Sequence, residues 1–231
     1  NSFLYREAIG QGLKLSDRGA LLAYSGEITG RCPLSKRIVE SKDTAGIWWG
    51  EVNRPISQTL FDLYLSKAKL DINNNTKKNY RINGFAGWNR KYPVEVVSVE
   101  PYHALFMKNM LVPVRDNWET SREKKFTIYN LGCLDLPNLE DIPEFQNLTR
   151  EDRDSIENES KNGALEKTLV GLDLTNRNMI IYGTRYAGEM KKGILTWMMY
   201  QMPLENKLCL HSSANRLPIS DNRGDNCTLF F

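Results

Sequence analysis

The 231-residue sequence has no apolar run of ~18 or more residues, the length a helix needs to cross a bilayer, so nothing in it reads as a membrane segment. Residues Asn1 to Gly10 lack the basic-then-apolar pattern of a secretory signal, and a cytoplasmic, soluble protein is expected. An excess of one charge is also missing. With 31 basic and 28 acidic residues the net charge is +3, far from the concentrated positive charge of a nucleic-acid binder. Cysteine is sparse: Cys32, Cys133, Cys209 and Cys227 are widely spaced and form no CxxC pair, so reduced thiols are expected rather than a disulfide framework or a zinc site. Histidine is sparser still, at two residues, and there is no HxxxH, G-x-S-x-G or Walker loop. Four N-x-S/T triplets, at Asn74, Asn147, Asn158 and Asn226, carry no weight without a secretory route.

What is present is 41% hydrophobic and 10% aromatic residues, enough for a sizeable core. Helical spacing is read in Phe3 to Gly12 and, more strongly, in Ser57 to Lys69, where Leu60, Phe61, Tyr64, Leu65 and Ala68 form one stripe behind Ser57 as N-cap. Strands are predicted at Leu21 to Gly26, Tyr80 to Ala86, Val94 to Val99 and Phe126 to Leu131. A short apolar helix is predicted in HALFMKNML, and a hairpin from Thr168 to Leu172 and Met179 to Tyr182. Residues Pro137 to Lys161 mix prolines, asparagines and acidic residues and read as an exposed, irregular insertion. Glu189 to Met202 reads as a buried helix stopped by Pro203, and LCLH and NCTLFF as closing strands. The mixture predicts an α/β or α+β layered fold with a mixed sheet. The apolar end NCTLFF, with no cap or polar tail, reads as a truncated buried strand.

The chemistry-bearing residues are few. Lys191 and Lys192 fall in the opening turn of the helix that begins near Gly188, where cations oppose the helix dipole. Three readings stand side by side: an anion pocket formed with the backbone N–H groups, a neutral amine able to ligate a metal, or a solvated lysine pair. His211, at the end of LCLH, is an imidazole at a strand end, suited to a transition metal or to a core hydrogen bond. His103, heading an apolar helix, reads as a core histidine without partners. Arg31 lies in the glycine-rich turn GEITGR, where Gly26 and Gly30 let the backbone present a guanidinium fork to a carboxylate or phosphate. Tyr186 offers a hydroxyl to an acid substrate or to solvent. Trp48, Trp49 and Trp88 read as core or interdomain packing.

Taken in order, GALLAYSGEITGR, IWWGEVNRPIS, FAGW, PYHALFMKNML, FTIYN, GTRYAGEMKKG and HSSAN resemble the amino-terminal region of ATP-dependent phosphoenolpyruvate carboxykinases over most of the chain. The resemblance implies an enzyme of gluconeogenesis that turns oxaloacetate and ATP into phosphoenolpyruvate, ADP and CO2, using Mn2+ and a second divalent ion, Mg2+, with ATP. It implies a substrate-binding domain over residues 1–205 and the opening strands of a nucleotide-binding domain over 206–231. Arg31 matches the arginine that holds a substrate carboxylate, and Tyr186 the tyrosine lining the same pocket. Lys192 matches the lysine that touches substrate and ligates the metal, and His211 the histidine that ligates the metal near the ATP γ-phosphate. Lys191 is assigned the stabilisation of negative charge on the enolate or the transferred phosphoryl group.

Cys32 and Ser212 stand where the family commonly has serine and cysteine, and the acidic stretch Glu140 to Ser160 where it has a shorter connection. The family's phosphate loop, which follows the strand matching CTLFF, is not among these residues, so the fragment is expected to be inactive by itself. The competing expectation is a non-catalytic dicarboxylate-binding or interaction module.

Overall fold

In the run NMIIY at Asn178–Tyr182 the period of two divides the side chains between two layers. Ile180 and Tyr182 join the cluster built on a long helix at Gln58–Asn74, whereas Met179 faces the opposite way, against Gly193. The computed structural model describes residues 1–74, 78–114, 124–217 and 226–231. It divides into two compact units, residues 1–194 and 195–231.

The first unit opens with α1 (Ser2–Gly10), the small hairpin of β1 (Lys14–Leu15) and β2 (Leu21–Leu22), then β3 (Lys36–Val39), β4 (Arg54–Ile56) and α2 (Gln58–Asn74). It continues with β5 (Tyr80–Phe85), β6 (Pro93–Ser98), α3 (Pro101–Met110), β7 (Val112–Pro113) and β8 (Phe126–Asn130). Next come α4 (Pro143–Gln146), α5 (Arg150–Asn162), β9 (Leu169–Asp173) and β10 (Asn178–Tyr182), and α6 (Gly188–Gln201) begins there and carries the chain into the second unit. Among the described residues, eight strands form one mixed sheet in the order β4-β3-β9-β10-β8-β6-β5-β7. Its middle is parallel, β10 to β8 and β8 to β6, while β9 with β10 and β5 with β6 are antiparallel. The mixed α/β architecture is therefore the one expected.

The α2 stripe is buried at Leu60, Phe61, Tyr64, Leu65 and Ala68 as predicted and extends to Ile72, while the helix runs to Asn74, beyond the predicted end at Lys69. Ser57 Oγ accepts the Leu60 N–H at 3.2 Å, satisfying one of the orphan donors of the first turn. On β10 the layer opposite α2 receives α6. A Cβ at position 193 would collide with the Met179 sulfur, so without glycine there the end of the Met179 side chain would have to move for α6 to seat this closely on β10. Leu4, Ala104 and Leu105 of α1 and α3 form a smaller cluster with Tyr80 of β5.

Five expectations are corrected. Residues 137–161 are not an irregular exposed insertion: Leu139, Ile142, Phe145 and Ile156 are buried in the same cluster as α2. Leu139, Ile142 and Phe145, with the partly buried Leu148, recur every three residues and make an apolar stripe that the acidic composition hides, and Thr149 caps α5 by accepting the Asp152 N–H at 3.2 Å. Leu21 to Gly26 is strand only over β2. LCLH is not a strand; in the second unit β11 (Ser213–Leu217) pairs antiparallel with β12 (Asn226–Phe230), and Leu229, Phe230 and Phe231 are exposed rather than buried. Trp48 and Trp88 lie outside the core, 91% and 74% exposed. Among the described residues no helix is long and apolar enough to cross a membrane.

Candidate active site

The parallel strands β6, β8 and β10 end at Ser98, Asn130 and Tyr182, and the loops leaving those ends build the candidate site, where sheets of this kind place ligands. The loop after β10 is tied down by its backbone. Gly183 N–H donates to the Leu134 carbonyl and Thr184 N–H to the Gly132 carbonyl, both at 2.8 Å. The buried Thr184 hydroxyl accepts the Tyr186 N–H at 3.1 Å. Tyr186 then folds its ring across Gly188, where a Cβ would meet the ring carbons.

At the next residue of that loop, the Arg185 carbonyl accepts from the Tyr102 hydroxyl and from His103 Nε2 at 2.8 Å. A carbonyl only accepts, so His103 carries its proton on Nε2, leaving Nδ1 as acceptor toward Ser98 Oγ at 3.4 Å. Burial pushes the His103 pKa down to about 4, so the ring is neutral near pH 7. His103 is a core histidine as expected, but it does have partners. The Arg185 side chain turns to Glu100, with Nε 3.2 Å from Oε1.

These loops enclose a cavity of about 470 Å³ lined by Arg31, Tyr186, Lys191, Lys192, Tyr102 and Arg185, among others. Four of the five site residues proposed from sequence therefore meet on one wall. The cavity lining carries no carboxylate, and among the described residues Arg31 forms no ion pair. Gly26, at φ 78°, supplies the left-handed bend in the turn that carries Arg31. Desolvation, then the neighbouring Arg31 and Lys191 charges, lower the Lys192 pKa from its usual value, the direction that frees an amine lone pair. His211, the fifth, is exposed in the second unit, at a bend ahead of β11.

Behind the wall lies a residue the sequence reading passed over. Glu189, 6% exposed in the first turn of α6, accepts the Cys32 backbone N–H at 2.5 Å. Burial raises its pKa, against the Cys32 hydrogen bond and the charges of Arg31 and Lys36. Burial likewise lowers the Lys36 pKa, with Arg31 adding to it and Glu189 opposing.

A basic cavity at the carboxyl ends of parallel strands, with GTRYAGEMKKG folded around it, is joined by a match of the phosphoenolpyruvate carboxykinase family model, ATP type, to residues 1–231. This chain belongs to the ATP-dependent phosphoenolpyruvate carboxykinase family. It is similar to the phosphoenolpyruvate carboxykinase (ATP) of Kluyveromyces lactis, 40% identical over 238 residues that cover 100% of this chain and 39% of the relative. The enzyme of the same name from Saccharomyces cerevisiae is 42% identical over 224 residues, 94% of this chain and 36% of that protein. That of Dictyostelium discoideum is 40% identical over 235 residues, 99% of this chain and 37% of that protein. The chain thus spans little more than a third of the length of these carboxykinases.

Among the described residues of this carboxykinase chain, no three His, Cys, Asp or Glu side chains gather into a metal cluster. In the first unit the lowered Lys192 pKa is in the direction an amine donor to a divalent ion requires. The residues missed from sequence, Tyr102, Arg185 and Glu189, all lie inside segments that carried the resemblance. Their partners are far away in the chain, and this hid their roles.

Proposed function

We propose that the full-length protein containing this chain converts oxaloacetate and ATP to phosphoenolpyruvate, ADP and CO2, and that residues 1–205 supply its substrate-binding domain. Residues 206–231 open the nucleotide-binding domain in this reading. The observation that carries it is the carboxylate-free cavity wall of Arg31, Tyr186, Lys191 and Lys192.

Arg31 grips the carboxylate that stays on the product, a fork-to-fork contact that fixes orientation as well as charge. Tyr186 directs its hydroxyl to the same group. The bond from C3 to the departing carboxylate breaks, CO2 leaves, and the electron pair stays behind as an enolate. Lys191 holds that negative charge in place. The enolate oxygen then bonds to the γ-phosphorus of ATP while the bond to the ADP oxygen breaks, a transfer that needs alignment and charge neutralisation above all. A bound Mn2+ would polarise the oxaloacetate carbonyl as a Lewis acid, with the Lys192 amine as a donor to it and Mg2+ accompanying ATP.

Oxalate, a planar dianion resembling the enolate, tests the site by calorimetry in the presence of manganese. Lys192→Ala is expected to weaken oxalate binding by about tenfold or more. Binding that ignores this substitution would sink the assignment. Steady-state turnover of the full-length protein separates the enzyme from a binding module. The 231-residue polypeptide alone is expected to bind without turnover.

A further inference from the structure

Arg31 belongs to an exposed turn, and an exposed turn does not by itself hold a guanidinium in register with two lysines on a helix. The turn and helix are joined at Cys32, the next residue after Arg31, whose N–H donates to Glu189 Oε1 at 2.5 Å. Glu189 is buried, and its place in the first turn of α6 puts its negative charge at the positive end of the helix dipole. It is also a carboxylate among the cations Arg31 and Lys36, whose charges act on it.

We propose that Glu189 is a positioning residue for the substrate site, clamping the Cys32 amide so that Arg31 stays on the wall shared with Lys191 and Lys192. The inference rests on the reading of Arg31 as the carboxylate-gripping residue. A carboxylate costs free energy to bury, and its oxygen is spent on a backbone amide rather than on a neighbouring side chain. Two consequences follow from the geometry. The acceptor matters more than the charge, so a glutamine at 189, which keeps an oxygen at the same reach, retains the clamp. Aspartate, one methylene shorter, loses it.

The test uses the full-length protein with oxalate and manganese as the probe. Glu189→Ala is expected to weaken oxalate binding by roughly tenfold or more, as displacement of a gripping group by about 1 Å does, with the KM for ATP unchanged. Glu189→Gln is expected to recover most of that loss and Glu189→Asp little of it. Amide exchange at Cys32, followed without reference to activity, should be slow in the native and Gln proteins and fast in the Asp protein. Oxalate binding by Glu189→Ala within about twofold of native, a Gln protein as impaired as the Ala protein, or fast Cys32 exchange in the native protein would each overturn the proposal. Should Arg31→Ala bind oxalate like the native protein while Cys32 exchange follows the expected order, the Arg31 reading fails and the clamp stands.

Discussion

His103 donates its Nε2–H to the backbone carbonyl of Arg185 across 82 positions of sequence, and with the Tyr102 hydroxyl on the same carbonyl α3 holds the loop that leads into the lysine pair. The tautomer is dictated by the acceptor, and the neutral state by burial.

The His103 pKa, lowered to about 4 from 6.5, gives stability a signed pH dependence. Below pH 6.5 the unfolded chain takes up a proton that the folded chain refuses, so stability present above 6.5 is lost as pH falls toward about 4. The loss attributable to this ring is roughly 3 kcal/mol. Denaturant titrations at a series of pH values should show it. In His103→Leu the slope over that window should flatten, and an unchanged slope would assign the pH dependence elsewhere.

Lys192 gives a second pH dependence with two opposite signs. Desolvation first, then Arg31 and Lys191, hold its pKa below the usual 10.5. As pH rises through that lowered value, metal-free oxalate binding should weaken because a positive charge is lost. Manganese-dependent binding should strengthen over the same range because a lone pair is gained. Lys192→Arg, charged throughout, should remove both trends. Parallel profiles with and without manganese would contradict the amine's role as a ligand.

Phe145, 2% exposed in the cluster with α2, should behave as a core residue. Phe145→Ala is expected to cost about 3–5 kcal/mol in equilibrium unfolding. A loss within about 0.5 kcal/mol would mark the 139–162 region as peripheral.

Gly193→Ala should destabilise by about 1–3 kcal/mol, since the added methyl meets the Met179 sulfur. Met179→Ala in the same chain should return part of that, giving a coupling a double-mutant cycle can read. Additive losses would show that the two sites do not touch.

Much of the sheet was legible because its code is local. The stripe at Leu60 to Ala68, the alternation at Tyr80 to Ala86 and the β9–β10 hairpin are each written within about a dozen residues. Failures came where the code was masked or distant. The stripe Leu139, Ile142 and Phe145 was outweighed by its acidic neighbours, and β11 was misplaced because its register depends on β12 rather than on its own alternation. The site divides likewise: Arg31, Tyr186, Lys191 and Lys192 stood out as residue types in short motifs and do share one wall. Glu189 did not, because its meaning lies in an amide 157 positions away.

The close approach of Gly193 to Met179 marks the phase of α6. Glycine marks the face of α6 that lies against Met179, so the aim of Lys191 and Lys192 depends on how many residues separate Tyr182 from Gly193. One residue more in that interval would preserve every motif letter, yet turn the two ammonium groups by about 100° away from the cavity. In this chain, spacing carries as much chemical information as identity.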